Sequence, residues 1–234
     1  MKVVGIVGYK KSGKTTLGLK LCKVLSEMGY RVGVLKHAGE IHFSDTDSAK
    51  YREHASMVSV VSPQEAEIVV KGEKSLEEML AYFDADLVLV EGFKKEKTFP
   101  KILCLAKDED KSDLYDGLAL CTASLGGKIS DFDILNEAHI QKMASMVLER
   151  GFKLPDLDCA QCGYETCYDL AREIVSGRKG VGQCLSLNPP ISVRVDGEPF
   201  PLNHYTSALF TNLIVTMVSS LKGYKKGTIE IEIP

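Results

Sequence analysis

Hydrophobic residues recur along this chain in two alternating rhythms. Val3-Val4-Gly5-Ile6-Val7 is a near-continuous apolar run, and Leu17, Leu21, Val24 and Leu25 then follow at helical spacing, with Leu19 beside them. The run predicts a buried strand and the spacing predicts a helix, because strands repeat every two residues and helices every ~3.6. The same alternation continues to about Leu154. Strands are predicted over residues 2–7, 31–36, 57–61, 68–71, 87–91, 101–105 and 118–121, and helices over 15–28, 75–82 and 134–150. Runs as apolar as Leu87-Val88-Leu89-Val90 predict a sheet covered on both faces. This part therefore reads as a doubly wound α/β domain.

Gly151 and Pro155 interrupt the pattern, and Asn188-Pro189-Pro190 interrupts it again. Three parts are expected: residues 1–154, a cysteine segment at 155–187, and an α+β tail at 188–234. The tail predicts a strand at 191–195, a turn at Asp196-Gly197 and an apolar helix from about Thr206 to Leu221. It closes on 228–233, where Ile229, Ile231 and Ile233 alternate with Glu230 and Glu232 as in a half-buried strand.

Composition narrows the setting. The chain has 234 residues, 44% of them hydrophobic and 26% charged, which supports a globular core. A net charge of −3 argues against a nucleic-acid partner and against an acidic membrane surface. A core strand right after Met1 predicts no signal peptide. Residues 207–221 include Thr211, Asn212, Thr216, Ser219 and Ser220, too short and too polar a run to span a bilayer. A cytoplasmic location is expected, with no membrane partner. Of the seven cysteines, Cys22, Cys104 and Cys121 lie in the α/β part and are expected to pack as small hydrophobes rather than form disulfides.

The first predicted strand and helix flank Gly8-Tyr9-Lys10-Lys11-Ser12-Gly13-Lys14-Thr15, a complete G-x-x-x-x-G-K-[ST] phosphate loop. Loop amides and the helix N-terminus would converge on one anion, with Thr16 in the first turn. Lys14 would reach the β/γ-phosphates, and Thr15 would help hold Mg²⁺. Such a site needs a carboxylate at the end of a buried strand, and Glu91, after Leu87-Val88-Leu89-Val90 and before Gly92, is the candidate. The segment after the second strand carries Lys36, His37, His42, Asp45, Asp47, Ser48 and Arg52. Asp45 and Asp47 are candidates to join the magnesium shell or orient a water; the alternative is a solvated loop. No strong base stands out, so any turnover is expected to be slow without a partner. The [NT]-K-x-D guanine signature is absent: Ala106-Lys107-Asp108-Glu109 has the wrong first and last residues.

Four cysteines lie late in the chain, Cys159, Cys162, Cys167 and Cys184, spaced C-x₂-C-x₄-C-x₁₆-C. Three close thiolates and one remote one suit a [4Fe–4S] cubane wrapped by a short loop. Structural zinc favours two matched C-x₂-C pairs, which the x₄ gap breaks, so zinc is the alternative and free thiols a third. A helix over 168–176, stopped by Gly177, would return the chain to Cys184. Separation in sequence predicts that this segment and the phosphate loop act independently.

These residues resemble the MobB family, the GTP-binding accessory proteins of molybdopterin guanine dinucleotide biosynthesis. The likeness covers about the first 150 residues. It rests on Gly8 to Thr15, on Lys36-His37 and on Asp86-Leu-Val-Leu-Val-Glu91-Gly92-Phe93-Lys94. Asp47-Ser48 through Arg52 and Ala55 looks like a diverged form of the family's G-K-D-[ST] stretch, with Asp45-Thr46 in place of Gly-Lys. The cysteine segment is similar to those of corrinoid iron–sulfur proteins and of the Rnf electron-transport complex. The resemblance implies GTP and Mg²⁺ binding, weak GTPase activity, a homodimer, and assistance to a MobA-type guanylyltransferase acting on molybdopterin.

The expected fold is thus α/β, a P-loop NTPase with a doubly wound, mostly parallel sheet, a small C-terminal iron–sulfur module and an α+β tail. Two other readings keep the phosphate loop. A small-molecule kinase would need an Arg-rich lid, which is absent from the sequence. A redox ATPase coupled to the cluster would, by likeness to nitrogenase reductases, carry lysine where Tyr9 stands.

Overall fold

The computed structural model describes residues 1–39 and 50–231. In chain order the elements are β1 (Lys2–Gly8), α1 (Lys14–Glu27), β2 (Val32–Lys36), β3 (Met57–Val61), β4 (Ala66–Val70), α2 (Leu76–Leu80), β5 (Leu87–Glu91) and β6 (Lys101–Cys104). Then follow α3 (Asp110–Leu114), β7 (Ala119–Ser124), β8 (Phe132–Asp133), α4 (Glu137–Arg150), α5 (Cys167–Val175), β9 (Val193–Val195), β10 (Glu198–Phe200) and α6 (His204–Ser219).

Six strands form one sheet in the order β2-β5-β1-β6-β7-β8, and every neighbouring pair is parallel. Alternate residues of the apolar strands feed opposite faces, which explains why those strands are apolar throughout. Val4, Ile6, Leu87 and Leu89 pack with Leu17, Leu21 and Leu25 of α1 and with Ile140, Met143 and Val147 of α4. Val3, Val88 and Val90 pack on the other face with Leu76 and Leu80 of α2, and Val7 and Leu103 pack there with Leu114 of α3. With helices on both faces, the doubly wound P-loop NTPase fold holds. The chain leaves β1 toward β2 on one side and later crosses to β6 on the other. β1 is therefore the switch point, where open α/β sheets bind their ligands.

Local signals set the helix ends. Ser75 and Glu78 form a reciprocal capping box at α2, and the Asn136 carbonyl oxygen Oδ1 accepts the Ala138 and His139 amides to start α4.

Two expectations need correction. β3 and β4 exist, but they pair antiparallel as a separate hairpin rather than joining the sheet. Only residues 62–65 join them, too few for a crossover between parallel strands. Residues 228–231 carry no regular structure, so the alternating isoleucines do not form the predicted strand there; residues 232 and 233 lie outside the described residues. α3, β8 and β10, each of five residues or fewer, are too short to impose a period on the sequence.

Cys104 and Cys121 are buried on β6 and β7, and burial pushes both thiols up to about 12. A thiol-alkylating reagent at pH 8 is expected to leave these two unlabelled in the folded protein and to modify them only after denaturation. Peptide mapping of the alkylated protein checks this.

Candidate functional site

The phosphate loop sits at the C-terminal end of β1, and its backbone is shaped to the task. A side-chain carbon at Gly8 would stand 2.4 Å from both the Cys104 carbonyl and Ser12 Oγ, so only glycine fits that turn. Gly13, at φ +90°, lies before the first residue of α1, and Lys11 is also left-handed, at φ 66°. Ser12 is buried, and its hydroxyl has no hydrogen-bond partner among the described residues. Lys14 opens α1 and donates from Nζ to the Tyr9 carbonyl at 2.7 Å, which holds the ammonium across the mouth of the loop. Lys10, Lys11, Thr15 and Thr16 are exposed around it.

The acidic residue arrives from the neighbouring strand. In the β1–β5 register Ile6 faces Glu91, so the strand-end carboxylate lies beside the loop. Thr15 Oγ1 donates to Glu91 Oε1 at 2.9 Å and also lies 3.2 Å from Oε2. A hydroxyl and a carboxylate side by side are the hard oxygen donors that magnesium takes, so the residues fit that ion. Lys36 Nζ stands 3.5 Å from Glu91 Oε1. Gly92, at φ +100°, lets the chain pass His37, whose ring lies 4.9 Å from that of Phe93. Asp45 and Asp47 lie outside the described residues, as does His42.

Lys94 follows Glu91 by three residues, in the run Glu91-Gly92-Phe93-Lys94. Its ammonium lies 3.8 Å over the Tyr9 ring, adding a second cation beside Lys14 at the loop. Aromatic and cation are 85 residues apart in the chain, so only the fold could reveal the pair.

The four late cysteines line one pocket, together with Pro155, Gln161, Tyr164, Thr166 and Leu170. Cys167 is the first residue of α5, capped by Thr166, and its amide donates to Asp158 Oδ1 at 2.6 Å. Cys184 follows a 3₁₀ turn, Val181–Gln183, that is tied to the Cys162 carbonyl by Gln183 Nε2 at 3.0 Å. Asp156, Asp158 and Ala160 all take positive φ, as does Gly163. Each such non-glycine residue costs on the order of 1–3 kcal/mol, strain that functional loops tend to hold. Burial raises the Cys184 thiol, and the nearby charges of Cys167, Cys162 and Cys159 raise it further. Burial likewise raises Cys167. Four thiols lining one pocket suit a cationic iron–sulfur centre, which takes them as thiolates. Among the described residues no group of three His, Cys, Asp or Glu converges on the position of a single metal ion.

The family profile of molybdopterin guanine dinucleotide synthesis protein B, MobB, matches residues 3–123, just over half of the 234. The chain belongs to the MobB family. An Fe-S cluster profile matches residues 154–186, so an iron–sulfur segment holding all four cysteines follows the MobB part. A relative in Methanocaldococcus jannaschii, described as a molybdopterin-guanine dinucleotide biosynthesis adapter protein, is 30% identical over 244 residues, covering 100% of this chain and 97% of its own. An adapter protein of the same description from Haemophilus influenzae is 39% identical over 110 residues, 43% of this chain and 61% of that one. Among solved structures, a MobB homologue from Bacillus stearothermophilus superposes with a TM-score of 0.50 at 28% identity, covering 64% of this chain and 100% of that one. Within this MobB chain the phosphate loop and Glu91 both fall in the matched range, whereas the cysteines lie beyond it.

Proposed function

We propose that this MobB chain is a GTP-binding adapter in the biosynthesis of a molybdenum or tungsten pterin guanine dinucleotide cofactor, assisting a MobA-type guanylyltransferase that acts on molybdopterin. The observation that carries the reading is the Thr15–Glu91 contact at 2.9 Å above a complete phosphate loop. Gly8 to Thr16 would cradle the phosphates, Lys14 would neutralise them, and Thr15 with Glu91 would hold Mg²⁺. Bound magnesium would offset phosphate charge; Lys14 and Lys94 supply further positive charge from the chain itself. With no strong base beside Glu91 among the described residues, the GTPase activity of the isolated protein is slow, and Asp45 and Asp47 are the residues proposed to position a water. The preference for guanine rests on family likeness.

The parts are a nucleotide-binding domain at 1–154, a [4Fe–4S] module at 155–187 held by Cys159, Cys162, Cys167 and Cys184, and a tail at 188–234. A homodimer is supported by the β3–β4 hairpin. Two strands alone are marginally stable in water, and Met57, Val60, Val61 and Ile68 on this hairpin are exposed. A cytoplasmic location accords with the finding that no helix among the described residues is long and apolar enough to cross a membrane.

The test is parallel titration with GTP and ATP in the presence of magnesium, with visible absorbance recorded alongside. GTP is expected to bind at least ~10-fold more tightly, a difference of about 1.4 kcal/mol. Tighter ATP binding would favour the redox ATPase, and phosphoryl transfer to a nucleoside or sugar would favour the kinase. Either result overturns the adapter reading.

A further inference from the structure

The segment between Glu91 and β6 touches both sites. On one side the Lys94 ammonium sits 3.8 Å over Tyr9 of the phosphate loop. On the other, Lys101, buried at the start of β6, donates from Nζ to the Lys94 carbonyl at 2.9 Å and to Asp116 Oδ2 at 2.6 Å. Asp116 Oδ2 also receives Lys97 Nζ at 3.3 Å, and Oδ1 accepts the Leu118 amide at 3.1 Å. The main-chain carbonyl of Asp116 accepts the Tyr168 hydroxyl at 2.5 Å, and Lys97 lies 4.5 Å over the Tyr168 ring. Tyr168 is the residue after Cys167.

The links leave little slack. A buried ammonium is costly unless its partners stay in place, so Lys101 passes on a displacement of Asp116 rather than absorbing it. A side-chain carbon at Gly117 would stand 2.9 Å from Arg172 Nε of α5, so the seam is close-packed. Leu118, Phe152 and Leu154 share one buried cluster with Cys167, Leu170, Ala171, Val175 and Cys184. The two parts that sequence separation treats as independent have a common core.

We infer that Tyr168 is a positioning residue for the nucleotide site: through Asp116 and Lys101 it sets where Lys94 stands over the phosphate loop, so that loading of the cysteine pocket regulates GTP affinity. This rests on the GTP reading above and adds its regulation. Coupling of two binding equilibria is reciprocal, so GTP equally biases retention of the cluster.

The experiment titrates magnesium GTP into the cluster-loaded protein and into protein stripped by a chelator. The two dissociation constants are expected to differ by ~5-fold or more, the lower end of allosteric couplings. In Tyr168→Phe, which keeps the ring and loses only the hydroxyl, the ratio should fall to about one while cluster absorbance stays at the wild-type level. A wild-type ratio of one overturns the inference, and so does a Tyr168→Phe protein with the wild-type ratio. If stripping unfolds the chain by circular dichroism, the loaded forms decide. Tyr168→Phe must then shift the GTP constant by that factor at unchanged absorbance and Tm, and an identical constant overturns the inference. Absence of GTP binding in every wild-type form would instead overturn the nucleotide reading, and the coupling with it.

Discussion

Lys14→Ala is expected to abolish the thermal stabilisation that the proposed function predicts magnesium GTP to give the wild-type protein. A ligand that binds only the folded state at 100 to 1,000 times its Kd stabilises by about 3–4 kcal/mol. For a chain of this size that corresponds to a Tm shift on the order of 10 °C. Lys14 is the loop's proposed charge on the phosphates, and its 2.7 Å bond to the Tyr9 carbonyl holds it at the loop. The side chain is not part of the core, and loss of that single bond costs about 1 kcal/mol. The ligand-free Tm should therefore move by only a few degrees while the GTP-dependent shift disappears. Differential scanning calorimetry of both proteins, with and without saturating GTP, separates the two effects. A GTP shift that survives in Lys14→Ala would place the nucleotide elsewhere.

How much of this arrangement the sequence discloses depends on the range of the interaction. The phosphate loop is legible because strand, glycine turn and helix are contiguous, and each carries its own local signal. Glu91 is legible at longer range, because a fully apolar strand ending in a carboxylate has few places to go in a parallel sheet; β5 pairs directly with β1. Lys101 is the opposite case. A lysine at the start of a strand reads as a solvated edge, yet this one is buried because Asp116, fifteen residues on, meets it at 2.6 Å. No periodicity encodes such a pair. The hairpin of β3 and β4 shows a similar gap: pattern finds the strands, but pairing partners come from connection length and from the rest of the sheet.

The cysteine pocket shows why boundaries read from glycine and proline can mislead. Pro155 does follow the α/β part, but Leu154 is buried with Cys167 and Leu170, and its amide donates to the Thr98 carbonyl at 2.8 Å. Arg150 at the end of α4 donates to the Val175 carbonyl at the end of α5. A composition break marks where the pattern changes, whereas energetic units are set by which apolar side chains share a core. α6 is a further example. Its sequence predicts a helix correctly, yet of its sixteen residues only Ser207 is buried, so apolar pattern alone did not reveal its surroundings.

Cys184→Ser should remove the visible absorbance of the purified protein and destabilise it by several kcal/mol, because for a centre of this type binding energy is folding energy. Two effects add at this position. The proposed centre would lose one of its four sulfur ligands, and a hydroxyl would enter the buried cluster that Cys184 shares with Leu118, Phe152 and Leu170. A buried hydroxyl left without a partner costs about 1–3 kcal/mol by itself. Cys22→Ser, on the half-buried face of α1, is the control: it is expected to keep full absorbance and to cost little stability. Iron and sulfide analysis with absorbance spectra and denaturant unfolding of both variants tests the assignment. Full absorbance in Cys184→Ser would remove that cysteine from the ligand set, and a colourless wild-type protein with one bound zinc would replace the cluster by the alternative metal. Because this cluster reaches the start of β7 through Leu118, loss of the proposed centre should also loosen the α/β body. Hydrogen exchange at β7 should then rise in Cys184→Ser and stay at the wild-type rate in Cys22→Ser.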